Sequence, residues 1–128
     1  MSDLLQHGSD WLEDQRTRHA TRLVTYQRGL AQAEVRATIG KTVFETDGGT
    51  GVLERTESRD YLILAADLAF EDVAILPNRG DRIRETEGSK VFVYEVMAPG
   101  RQPHYRYSDP YRKTLRIHTK HVETMVPP

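Results

Sequence analysis

No cysteine occurs among the 128 residues, which removes disulfides, thiolate metal sites and cysteine nucleophiles together and fits a reducing compartment. A basic excess is lacking as well. Eighteen Lys and Arg stand against 19 Asp and Glu, giving a formal charge of -1, without the cationic surplus that phosphate binding leaves in a composition. Nucleic acid as a tightly held ligand is therefore disfavoured. No apolar run approaches the roughly 20 residues that span a bilayer, and Met1 to His7 has neither the basic region nor the apolar stretch of a signal peptide. The expectation is a soluble intracellular product with no membrane partner.

What remains is a polar chain with clear periodicity. Hydrophobic residues make up 38% and charged residues 29%, and the mean hydropathy is -0.62, yet the apolar positions recur regularly enough to argue against wholesale disorder. The length suits one domain, 1–128, with a modest core and a large wet surface. No internal repeat and no linker-like shift in composition divides it. A helix is expected over about 3–20, capped by Ser2 or Asp3, with Leu4, Leu5, Trp11 and Leu12 near one face and Arg16, Arg18 and Arg22 at its far end.

From Leu23 the period becomes strand-like, and a β body is expected over about 23–122, followed by a short tail, 123–128. Leu23 to Tyr26 and Val35 to Ile39 read as a hairpin around Arg28-Gly29, continued by Lys41 to Glu45. Gly48, Gly49 and Gly51 form a flexible turn, after which Val52 to Arg55 and Asp60 to Leu64 read as two short strands, and Ala65 to Phe70 as one helical turn. Leu76 to Asp81 turns into Arg82 to Glu85, and Thr86 to Ser89 reverses the chain into Val91 to Val96. In the last strand, Arg112 to Lys120, Leu115, Ile117 and Thr119 alternate with Thr114, Arg116, His118 and Lys120, which predicts one apolar and one wet face. The fold class is mainly β (α+β), a small antiparallel barrel or curled sheet with an N-terminal helix.

Several motifs fail on inspection. Ile39-Gly40-Lys41-Thr42 resembles the end of a P-loop, but Val35 stands where the first glycine is needed. Arg79-Gly80-Asp81 has a simpler account than cell adhesion, since Gly80 supplies the positive φ of a turn. The glycines at 48, 49 and 51 lack the spacing and the helix of a dinucleotide site. His104, His118 and Asp109 form an acid-base or metal cluster only if the fold brings them together, and nothing in their spacing forces that. No cofactor, metal or catalytic residue is expected.

The segment from Pro99 to Tyr111 carries the strongest functional signal. Arg101, His104, Tyr105, Arg106, Tyr107, Asp109 and Tyr111 lie among Pro99, Pro103 and Pro110 in what reads as a long exposed loop. Tyrosine and arginine are the side chains that dominate protein interfaces. The same residues also stack on single-stranded bases, so a small single-stranded nucleic-acid-binding barrel is the alternative from another class, disfavoured by the charge balance.

The order of elements, with a Pro-x-Arg-Gly-Asp-x-Ile turn (Pro77 to Ile83), a hairpin ending Val93-Tyr94-Glu95-Val96, the Ser108-Asp109-Pro110-Tyr111-Arg112 segment and a terminal Thr114-Leu115-Arg116-Ile117, resembles the head-tail joining (connector or stopper) proteins of long-tailed bacteriophages. The resemblance runs from about Leu4 to Val122. It implies a non-enzymatic virion protein of the neck, made in the bacterial host cytoplasm. It further implies a homo-oligomeric ring contacting portal or adaptor proteins and tail proteins, through which genomic DNA passes without specific binding. A tail-completion or minor tail protein is the alternative within the virion.

Overall fold

A computed structural model describes residues 21–47 and 51–127. The helix expected over 3–20 and the turn glycines Gly48 and Gly49 lie outside these residues. Strands β1 (Thr21–Arg28) and β2 (Ala31–Asp47) form the first hairpin, reversed at Gly29 with φ of 60°. The two short strands expected next are one, β3 (Leu53–Leu64), because the polar run Arg55 to Arg59 stays in register with β2 from end to end. The single helical turn expected over Ala65 to Phe70 is a 3-10 turn at Ala65–Asp67, and Ala69 and Phe70 instead form the two-residue strand β4 (Ala69–Phe70), paired with β5 (Val73–Ala74).

Strands β6 (Arg82–Glu87) and β7 (Lys90–Val96) form the second hairpin, reversed at Gly88 with φ of 61°. Strand β8 (Tyr105–Tyr107) lies within the segment expected to be loop. Strand β9 (Thr114–Met125) begins two residues after Arg112 and runs beyond Lys120, because its second half pairs with β7.

Strands pair antiparallel in the order β3-β2-β1-β6-β7-β9-β8, and β9 pairs with β3 as well. The ladder thus returns to its first strand, which leaves few open edges. Period-two alternation puts Val24 and Tyr26, Val35 and Ala37, Tyr61 and Ile63, Ile83, Val96, Leu115 and Ile117 inside the curl. Each such aliphatic side chain contributes about 1.5–3 kcal/mol relative to exposure.

Two buried carboxylates brace the inside at opposite ends. At one end Asp81 accepts hydrogen bonds from the Tyr26 hydroxyl, from Arg28 Nη2 at 2.8 Å and from the Asn78 amide at 2.9 Å. Burial first, then the bond to Asp81, pushes the Tyr26 phenol well above its ordinary pKa. At the other end Glu85 accepts from Arg59 at 2.8 and 2.9 Å, with the guanidinium 4.8 Å from the Tyr94 ring centre.

The outer face of β9 is not uniformly wet. His118 is 2% exposed, and Asp60 directly opposite on β3 is 0% exposed. Four donors surround the Asp60 carboxylate: the Thr42 hydroxyl, Ser58 Oγ at 2.6 Å, Arg116 Nε at 2.7 Å and His118 Nδ1 at 2.8 Å. Phe44 packs edge-on against the His118 ring, 5.4 Å between centres. Gly40 lies against this cluster, where a β-carbon would stand 3.4 Å from Arg116 Nη2 and Leu62 Cδ1.

Candidate functional site

The segment 99–111 divides into a support and a tip. His104 sits half-buried, its Nε2 2.7 Å from the Pro77 carbonyl, while its own carbonyl accepts from the His118 amide at 2.9 Å. Tyr105 and Tyr107 pair with Ile117 and Leu115 of β9 and pack against the core cluster. These three residues anchor the segment, so the long loop expected from the prolines contains a short built strand. Three residues between prolines are too short to announce a strand by alternation, which is why the sequence reads as loop there.

Asp109 organises the turn into β9. Its carboxylate accepts amide bonds from Thr114 at 2.8 Å, Lys113 at 2.9 Å and Tyr111 at 3.1 Å, and these bonds, Thr114's foremost, lower its pKa. The turn closes through Arg112, a non-glycine residue at φ of 57°. Arg101, Arg106, Tyr111, Arg112 and Lys113 are left exposed, with Arg112 over the Tyr107 ring and Lys113 over the Tyr111 ring. Beside this tip lies a cleft lined by Arg28, Ala65, Ala74, Ile75, Leu76, Asn78 and Tyr107. The outer edge of β8 pairs with no other strand among the described residues.

The opposite end carries an arm. Strand β9 leaves β3 after Arg59, and the described part of β1 pairs with β2 as far as Thr38, so 43–47 and 53–57 pair only with each other among the described strands. Val43, Glu45, Leu53, Glu54, Arg55 and Glu57 are exposed there. Gly51, at φ of 78°, has the backbone of a turn residue.

The titratable residues considered for catalysis do not converge. His104 is held on Pro77, Asp109 on turn amides and His118 on Asp60. Ser58, His118 and Asp60 do lie together, a cluster invisible in the sequence because Asp60 and His118 are 58 residues apart. They form no nucleophile relay, since Ser58 Oγ and Asp60 face the same imidazole nitrogen, Nδ1, at 3.3 and 2.8 Å. A relay needs the hydroxyl on one ring nitrogen and the carboxylate on the other. Burial opposes ionisation of Asp60, but the bonds from His118, Ser58, Thr42 and Arg116 outweigh it and hold the pKa at about 2. The arrangement stores an ion pair. Asp81 of the Arg-Gly-Asp turn is likewise committed inward to Tyr26 and Arg28 and is 3% exposed. Gly80, at φ of 91°, supplies the positive φ expected of that turn.

Among the described residues no helix is long and apolar enough to cross a membrane. The family model for phage head-tail joining protein matches residues 2–126. No curated protein matches the chain.

Proposed function

The chain belongs to the phage head-tail joining protein family, and from that premise we propose that it is a structural, non-enzymatic component of the neck, linking the DNA-filled head to the tail as part of an oligomeric ring. The observation that carries this reading is the family match over residues 2–126. The partners on either side of the ring are portal or adaptor proteins and tail proteins, and the completed particle, assembled in the bacterial host, is where the protein acts.

The physical features of the chain support such a role. A heterologous contact closes into a ring when its rotation is right, and a modest interface gains avidity by repetition around that ring. Near-neutral net charge suits a channel that DNA traverses without adhering. The tip presents Arg101, Arg106 and Tyr111 to a partner, while His104, Tyr105, Tyr107 and Asp109 fix its shape.

Disrupting the gene in a phage or prophage that carries it tests the proposal. Filled heads and separate, complete tails are the expected products under the electron microscope. Joined, infectious particles in normal yield contradict it, and full heads bearing incomplete tails move the protein to tail completion.

A further inference from the structure

We infer that the acidic arm of one copy seats on the basic, tyrosine-bearing tip of the next, and that this contact is what propagates the ring. The inference deepens the neck reading and rests on it. It starts from the placement of two exposed surfaces that one copy cannot bring together. Strand β3 begins in the arm and ends at Leu64, and the tip adjoins that far end, since the Ala65 amide donates to the Lys113 carbonyl at 2.8 Å. Twelve strand residues span roughly 40 Å. A contact between surfaces so far apart is heterologous and repeats from copy to copy.

Charge complementarity names the occupant. The arm exposes Glu45, Glu54 and Glu57 against Arg55, and Arg55 already faces Glu45 across the hairpin at 3.9 Å. Glu54 and Glu57 make no ion pair among the described residues. The tip exposes Arg101, Arg106, Arg112 and Lys113, and its one acid, Asp109, is turned onto backbone amides. None of the four cations pairs with a carboxylate among the described residues. The acidic residues Glu71 and Asp72 lie on the β4–β5 turn at the same end. They repel an acidic arm and so confine it to the β8 side.

The non-polar parts match as well. Val43 is 38% and Leu53 66% exposed on the arm; Leu64 is 51% and Tyr111 79% exposed near the tip. The β3 edge over 53–58 and the outer β8 edge are both without strand partners among the described residues. An extended arm laid along β8 therefore satisfies main-chain donors and acceptors on both sides, with the charges setting direction and partner choice.

The test is complementation of a joining-deficient lysate with purified full-length protein. The variants are Glu54→Arg with Glu57→Arg in the arm, Arg106→Glu with Arg112→Glu in the tip, and the four changes combined in one chain. Each surface variant alone is expected to lower the yield of joined particles at least 10-fold with an unchanged melting curve. The combined variant, which inverts two charges on each side of the contact, is expected to regain most of the yield. Full activity of either surface variant overturns the inference while leaving the neck reading in place, and so does failure of the combined variant when its melting curve is unchanged. Failure of the wild-type protein to join heads and tails removes the neck reading itself.

Discussion

The closed body of the sheet and the two extensions that leave it are made of the same residue types under opposite rules. In the body, buried carboxylates are satisfied by half-buried arginines: Asp81 by Arg28, Glu85 by Arg59, Asp60 by Arg116. In the arm and the tip, Glu54, Glu57, Arg106 and Arg112 are exposed and unpaired among the described residues. Charge in the body holds the fold, and charge in the extensions is free to choose a partner. A near-neutral total thus conceals two separate uses of charge.

The largest effect is expected in the body. Asp60→Ala leaves the Arg116 guanidinium without its carboxylate beside a buried cluster, and a stability loss of about 3–5 kcal/mol is expected in denaturant unfolding. Glu54→Ala, a change of the same class in the arm, is expected to stay within about 0.5 kcal/mol. Equal losses at the two positions erase the distinction.

Acid titration probes the same carboxylate next. The Asp60 pKa is lowered in the fold, from 3.8 to about 2, so its contribution is present above the unfolded value and is lost as pH falls through the folded one. Roughly 2 kcal/mol of stability is expected to disappear between about pH 4 and pH 2. In Asp60→Asn that portion of the acid dependence is absent, and an unchanged acid limb in the variant contradicts the assignment.

Smaller again is Tyr26→Phe, which removes one donor to Asp81 and leaves Arg28 and the Asn78 amide in place. A loss of about 1–2 kcal/mol is expected in the same unfolding assay. Smallest in stability is Tyr111→Ala at the tip. The melting temperature is expected to move by less than about 2 °C, while joining yield falls severalfold; the reverse pattern places Tyr111 with the body.

Much of the body was legible before the structure. Alternation in Leu23 to Tyr26, Val35 to Ile39 and Leu115 to Ile117, with turn glycines at 29, 80 and 88, is enough to expect an antiparallel, curled β fold. Its buried polar groups were not, because Asp60 meets His118 and Arg116 only through the register between β3 and β9, which no local pattern encodes. The outer face of β9 therefore reads as wet when half of it is sealed. The tip was legible by composition and misread in shape: tyrosine and arginine announce a surface, but Tyr105 and Tyr107 turn inward to anchor β8. The arm left a weaker trace, since Val52 to Arg55 and Asp60 to Leu64 look like separate strands until the cross-strand partners of Thr56 to Arg59 on β2 are known.

The most direct test of the central claim is to add purified wild-type protein to a lysate of filled heads and free tails made without it, and to count joined particles and plaques. A rise with dose, saturating at a fixed number of copies per head, is the predicted result. No rise at any dose, with the added protein folded and the heads full, contradicts a role in joining head to tail.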